Sequence, residues 1–262
     1  MMPKPGEHRP AGFAGWGPAH RWPAPSAVQT TSDIDTSPRR SRPQQDHILR
    51  ETYLLDTARS LTGYAVRDDV GVAEDVRLAE GLIVVDVQTA FVSGASAVPA
   101  AGPLLEQVGS LIARARTGGA FIVHLQNDGP AGAVDEPGKP GWELYLPIEA
   151  GPHEVVIRKT LDDGFHQTDL AGLLAARGVR SLAVCGVMSE MCVSATTRTA
   201  LSLGFRVVLP HDAHATYDIP AAPDISETVP AAMVSRVAEW ALGDQIDIVA
   251  RAADVGFGAP IS

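Results

Sequence analysis

Hydrophobic positions along the chain follow two periods that take turns. Leu82–Val87 (LIVVDV), Ala120–Leu125 (AFIVHL), Glu154–Ile157 (EVVI), Leu182–Cys185 (LAVC) and Arg206–Leu209 (RVVL) are short, nearly unbroken apolar runs rich in β-branched residues. Runs with no polar face suit strands that are covered on both sides. Between them, apolar residues recur every three or four positions. Leu104, Val108, Leu111 and Ile112 precede Gly118-Gly119, while Leu170, Leu173 and Leu174 lie between Thr168-Asp169 and Gly178. Each stripe ends in glycine, and Thr168-Asp169 offers a capping side chain ahead of the second, so both predict helices. The alternation predicts an α/β fold: a doubly wound, mostly parallel sheet flanked by helices, a Rossmann-like three-layer sandwich, with a sixth strand near Ile246–Val249. A last helix is predicted within Glu227–Leu242, with Pro230 in its first turn and Val229, Ala232, Met233, Val237 and Trp240 on one side. Such a stripe serves the core or a subunit contact.

The pattern is different before residue 80. Residues 1–43 hold 8 of the 20 prolines and few aliphatic residues, which predicts a disordered Pro/Gly-rich tail. Residues 44–79 form an N-terminal helix and linker: Ile48, Leu49, Tyr53, Leu54 and Leu55 recur at helical spacing, and Gly63 is a stop signal. Residues 80–262 are then the main domain. The whole chain carries net charge −10, and without its basic-leaning tail the remainder is near −13. Such a surface repels phosphate backbones, so no nucleic-acid partner is expected, and it suits a cationic ligand. No apolar stretch is long enough to span a membrane, so no membrane partner is expected either. Two cysteines and the lack of a secretory apolar stretch point to a reducing, cytoplasmic setting.

In a parallel sheet, ligands bind beyond the carboxyl ends of the strands. Three reactive residues stand there: Asp86 at the end of the first run, Lys159 after the third, and Cys192 just past the fourth. Cys192 precedes the helical stretch Val193–Gly204, where backbone N–H groups and the helix dipole lower a thiol pKa, and Lys159 would add to that. Asp86 could accept the thiol proton and return it to a leaving group. Each residue has a plainer role when taken alone: a buried thiol, a solvated lysine, a capping aspartate. Cys185, inside its run, reads as a small core residue. His211 and His214 after the fifth run leave a Cys–His pair open as an alternative.

The residues resemble the isochorismatase-like cysteine hydrolases. The likeness runs through Asp86-Val87-Gln88-Thr89-Ala90-Phe91 (D-x-Q-x-x-F), Arg158-Lys159-Thr160 with Phe165, and Gly186 to Cys192-Val193 with Thr197-Arg198, continuing to Asp212-Ala213-His214. It implies an Asp86, Lys159, Cys192 triad in which Cys192 attacks an amide-like carbon. It also implies a non-proline cis peptide at Val187–Met188, with the backbone N–H groups of Met188 and Cys192 as the oxyanion hole. Gln88, Phe91, Asn127, Asp128 and Trp142 are the expected substrate contacts. Family resemblance further implies a homo-oligomer, with the last helix as its contact.

Departures narrow the activity. Metal-binding nicotinamidases of this family carry D-x-H and a further His after the second strand; here the stretch reads His124-Leu125-Gln126-Asn127-Asp128-Gly129. Neither metal nor cofactor is therefore expected in the reaction, and His124 reads as a core or rim residue. The Gly/Pro-rich loop Asp128–Glu149 is expected to wall the pocket. Its Gly-Trp-Glu, with the HxQxDGPxG stretch, is most similar to the metal-free branch that includes streptothricin hydrolases, which open a lactam amide of a cationic antibiotic. The expected function is cysteine-dependent hydrolysis of a small-molecule amide or lactam C–N bond. The competing readings are a catalytically idle binding domain and a nicotinamidase-type amidase.

Overall fold

A computed structural model describes residues 77–260. The tail over 1–43 and the helix expected near 44–61 lie outside the described residues. The first ordered elements are β1 (Arg77–Ala79) and β2 (Gly81–Val85), the latter buried at all five positions. There follow a short α1 (Thr89–Val92), α2 (Ala101–Gly118), β3 (Phe121–Asn127), β4 (Glu154–Lys159), α3 (Leu170–Ala176) and β5 (Ser181–Val187). A π-helical turn over Ser189–Val193 leads into α4 (Ser194–Ser202), β6 (Arg206–Pro210), the short β7 (His214–Ala215), α5 (Ala231–Trp240), β8 (Asp247–Val249) and β9 (Val255–Phe257).

The main sheet has the order β4-β3-β2-β5-β6-β8, with β7 beside β5, and every pairing is parallel. Alternate residues of the central strands feed two apolar layers. Leu82, Val84, Ala183, Cys185 and Val187 pack with the α2 residues Leu104, Val108, Leu111, Ile112 and Ala115. Ile83, Val85, Leu182 and Val184 pack with Leu170 and Leu174 of α3 and Ala200 of α4. Burial on both faces accounts for the unbroken apolar runs of β2, β3 and β5, but not for that of β4, which is at the sheet edge and only part-buried, with Val156 exposed. All six strands of the main path were expected. The parallel pair of β1 and β9, with Leu78 opposite Gly256, was not, because three-residue strands carry too little pattern. β1 also puts regular structure at the end of the segment expected to be linker.

Local signals account for the helix ends. α2 stops at Gly119, whose φ of 74° is left-handed and whose N–H returns to the Ala115 and Arg116 carbonyls. The Thr168 hydroxyl accepts the Leu170 N–H and donates to the Gly164 carbonyl at the start of α3.

The prediction for α5 needs correction. Its buried residues are Val234, Ser235, Ala238 and Glu239, whereas Met233, Val237 and Trp240 are exposed, Trp240 at 78%. A buried Ser and Glu misled the hydrophobic pattern: they face inward because they bond to polar partners there, leaving the larger apolar side chains outside. Among the described residues, this stripe is therefore not part of the core. Among the described residues, no helix is long and apolar enough to cross a membrane.

Strand order turns at β2. The chain runs outward through β3 and β4 on one side, then returns to place β5, β6 and β8 on the other. The crevice beyond β2 and β5 is thus a topological switch point, the place where ligands of such sheets bind.

Candidate active site

Asp86 follows β2 with φ of 49°, an uncommon conformation for a residue with a side chain, and its N–H bonds the Leu125 carbonyl of β3. The neighbouring β5 comes so close that a Cβ on Gly186 would overlap the Val85 backbone, and Gly186 itself has φ of 120°. Only glycine fits both demands. The Val187–Met188 peptide is cis, as expected.

The three expected reactive side chains meet in this crevice. Lys159 Nζ lies 2.8 Å from Asp86 Oδ2, 3.3 Å from Cys192 Sγ and 3.4 Å from Asn127 Oδ1. Asp86 and Lys159 are 2% and 3% exposed, while Cys192 is part-exposed. The second carboxylate oxygen of Asp86, Oδ1, is buried and has no hydrogen-bond partner among the described residues. An acceptor left open beside a thiol is available for a proton.

Charges in the crevice are set by burial and by one another. Burial pushes the Asp86 carboxyl up, and Lys159 pulls it only part of the way back. For Lys159, burial disfavours the ammonium, but the carboxylate of Asp86 and the sulfur of Cys192 outweigh it and hold the proton more firmly than usual. Burial, followed by the negative Asp86, pushes the Cys192 thiol up, against the opposing pull of Lys159. This corrects the expectation of a resting thiolate. Cys192 sits in the π-helical turn ahead of α4, where Met191 departs from helical geometry, so the dipole of a regular first turn is not aimed at the sulfur. The resting thiol keeps its proton, and two carboxylates, Asp86 and Asp162, act on it.

The turn holding Cys192 is tied at its base: the Met188 carbonyl accepts the N–H groups of both Met191 and Val193. The loop after β4 is fastened to α4, with Thr196 Oγ1 accepting the Gly164 N–H and Thr199 Oγ1 donating to Asp163. That loop brings Asp162 Oδ1 to 3.7 Å from Cys192 Sγ, a neighbour the sequence did not single out. A carboxylate in an irregular loop leaves no periodic signal.

Several expected substrate contacts have other work. Gln88 is fully buried; its Nε2 donates to the Asn127 and Trp142 carbonyls, and its Oε1 accepts the Asn127 N–H. It is therefore a clamp for the loop and presents nothing to a ligand. Asp128 accepts the Trp142 indole N–H at 2.8 Å and pairs with Arg158 at 2.6 Å, while Arg158 stacks on the Trp142 ring. Asp128 is spent holding the wall together. Asn127 donates to Asp135 and turns its oxygen towards Lys159, so it borders the reactive centre. Phe91 packs part-buried against the core.

The loop Asp128–Glu149 has no regular helix or strand, yet it is pinned. Thr89 and Ala90 donate to the Glu143 and Gly141 carbonyls, and Tyr145 donates to Val87. His124 is a core residue, as expected: it is 2% exposed and bonds Glu154 at 2.9 Å, and burial lowers its basicity. Cys185 is buried without exposure, and burial likewise raises its thiol. The Cys–His alternative gains no support: the contacts of Cys192 Sγ are with Lys159 and Asp162, whereas His211 and His214 bond Glu239, and His214 also bonds Ser189 through its other nitrogen. A groove lined by Arg116, Ile122, Glu149 and His153 opens at the amino ends of β3 and β4 and contains none of the reactive groups.

Comparison with known proteins adds to this geometry. The Isochorismatase domain model matches residues 80–239. A streptothricin hydrolase of Streptomyces noursei is 71% identical over 181 residues, covering 69% of this chain and 66% of that protein. A second from the same organism is 65% identical over 187 residues, covering 71% and 74%. The chain therefore spans about two thirds to three quarters of these relatives. Among solved structures, an isochorismatase from Pseudomonas putida KT2440 superposes with TM-score 0.62 at 30% identity, covering 75% of this chain and 96% of that one. A pyrazinamidase of Pyrococcus horikoshii, solved in complex with zinc, has TM-score 0.54 at 29% identity, covering 65% and 98%.

Proposed function

The chain belongs to the isochorismatase family, and from that premise we propose that it is a cysteine hydrolase that cleaves the amide-type C–N bond of a small molecule. The observation that carries this reading is the meeting of Asp86, Lys159 and Cys192 at the switch point, with an open carboxylate oxygen beside a protonated thiol. The substrate class follows from the two streptothricin hydrolases: the lactam amide of a cationic antibiotic of that type. Hydrolysis of such a molecule would make the enzyme one of antibiotic resistance.

Each proton in the proposed reaction has a named carrier. As Cys192 Sγ attacks the carbonyl carbon, its proton passes to Asp86 Oδ1. The carbonyl oxygen becomes an oxyanion, met by the N–H groups of Met188 and Cys192; one such donor contributes about 3–4 kcal/mol to the transition state. Lys159 offsets the negative charge gathered on Asp86 and sulfur. The C–N bond then breaks, and the leaving nitrogen takes the proton from Asp86, leaving a thioester on Cys192. Water attacks that thioester, giving a proton to Asp86. The carboxylic acid departs, and the proton on Asp86 returns to sulfur. For a lactam, acid and amine remain in one ring-opened product heavier than the substrate by one water. The chain supplies every group in this sequence, so none of its steps calls for a cofactor.

Two further parts of the proposal have their own support. The exposed α5 side chains Met233, Val237 and Trp240 offer an apolar face suited to a homo-oligomer contact. Two free thiols suit a reducing, cytoplasmic setting.

The test incubates the full chain and its Cys192→Ala variant with a streptothricin-type lactam, nicotinamide and simple amides, following product mass. Gain of one water by the lactam with the native chain, and none with the variant, is the expected result. Equal turnover by both proteins would remove Cys192 as nucleophile, and preferential hydrolysis of nicotinamide would overturn the substrate class.

A further inference from the structure

The reaction leaves unused a cluster on the far side of the turn that carries Cys192. His211, in the short 3-10 turn after β6, His214 of β7 and Glu239 of α5 converge, and their ligand-type atoms lie within 4.8 Å of one another. Glu239 Oε1 stands 2.5 Å from His211 Nδ1 and 3.0 Å from His214 Nε2. Glu239 and His214 side chains are 1% exposed and His211 is 49% exposed, so the cluster is walled on two sides and open on one.

Two imidazole nitrogens and a carboxylate oxygen are the donor set of zinc-type divalent ions. The surroundings already hold these donors in place. His214 Nδ1 bonds Ser189 Oγ at 2.8 Å, which in turn meets Ser235 Oγ at 3.0 Å. An imidazole held through one nitrogen, with the other aimed at a carboxylate, matches the way metal-binding histidines are oriented. Arg236 holds the second carboxylate oxygen, Oε2, at 3.2 Å. A tetrahedral ion needs ligand atoms about 3.4 Å apart, given metal–ligand distances of about 2.1 Å. Opening the cluster that far needs a swing of about 0.9 Å by the half-exposed His211 and a separation of about 0.4 Å between His214 and Glu239.

We propose that His211, His214 and Glu239 bind one divalent transition-metal ion of the zinc type, and that this ion braces the Cys192 turn from behind through Ser189. The site is structural and separate from the bond-breaking steps. The missing D-x-H pattern on β3 argued against a metal in the pocket; it has no bearing on this cluster, whose ligands come from the turn after β6, from β7 and from α5.

The test uses the untagged full chain, stripped of metal, titrated with Zn2+ by calorimetry and with Co2+ by visible absorption, with bound metal counted by elemental analysis. Native protein and Cys192→Ala should each hold one tight equivalent and melt at higher temperature with Zn2+. His211→Ala, at a half-exposed position that folding tolerates, should lose both effects and bind more than about a hundredfold more weakly; Ser189→Ala should bind about 10–100-fold more weakly. His211→Gln is the second variant should alanine reduce solubility. Native affinity in the His211 variants, loss of the site in Cys192→Ala, or no saturable binding by native protein would each overturn the proposal.

Discussion

The Lys159 ammonium stands 3.3 Å from Cys192 Sγ, yet that sulfur keeps its proton. Burial and the carboxylate of Asp86 raise the thiol by more than one nearby cation lowers it. In the proposed mechanism, attack on the substrate is therefore coupled to proton transfer into Asp86 and does not draw on a standing thiolate, which makes Asp86 as necessary to the first step as the nucleophile.

Asp86→Asn tests that dependence with little structural cost. Asparagine tolerates the left-handed backbone at this position, where φ is 49°. The variant should fold normally by circular dichroism while kcat/KM falls by about 10²–10⁴, the usual share of a general base. Native turnover would exclude Asp86 from that role.

Alkylation should report the protonated thiol. With Cys192 raised by burial, its reaction with iodoacetamide should keep rising through mildly alkaline pH, with no plateau near neutrality. Cys185, fully buried and out of reach of the reagent, should stay unlabelled until the protein unfolds. Peptide mass spectrometry across a pH series reads both rates, and a plateau for Cys192 below pH 7 would contradict this charge assignment. The acid limb of kcat/KM should likewise lie above the ordinary carboxyl value of 3.8, since Asp86 is raised and must lose its proton to act as base.

Gln88→Ala should release the pocket wall. The change removes the side-chain partner of the Asn127 N–H and of the Asn127 carbonyl at once, while the Trp142 carbonyl keeps its bond from Gln126. Unfilled hydrogen bonds at part-buried backbone cost about 1–3 kcal/mol each, and water entering the space recovers part of this, so a loss of about 2–4 kcal/mol is expected in urea unfolding. Hydrogen exchange over residues 128–149 should accelerate. A stability change below about 0.5 kcal/mol would show that the clamp is dispensable.

Acid stability should depend on Glu154. Burial pushes its carboxyl up, but bonds from Arg116 and His124 bring it from 4.5 to about 2. A carboxyl depressed in the folded state contributes stability above its unfolded value, and that stability is lost as pH falls through the window from 4.5 towards 2. Glu154→Gln should therefore lower Tm at neutral pH and flatten the decline of Tm across that window. A variant curve parallel to the native one would leave the pairing without effect.

Along the strands the pattern was unambiguous, because a strand covered on both faces has no place for polar residues. The six apolar runs, the stripes of α2 and α3, and the order of alternation were enough for a parallel doubly wound sheet. Strand ends mark where ligands bind in such a sheet, so Asp86, Lys159 and Cys192 could be picked out before their distances were known. The pattern failed where polar side chains turn inward to polar partners. Glu239 and Ser235 reversed the apparent face of α5, and Gln88 appeared available to a substrate because its three backbone partners are distant in sequence.

Composition and periodicity thus determined the layers, the mostly parallel sheet, and the rim on which the chemistry stands. Tertiary structure alone decided the protonation of Cys192, the clamp at Gln88, the position of Asp162 and the meeting of His211, His214 and Glu239. The reason is physical: periodicity reflects the transfer of side chains from water to the core, a property each residue carries locally. Proton affinity and hydrogen-bond pairing depend on which charges and polar atoms folding brings within a few ångströms, and those neighbours come from distant parts of the chain.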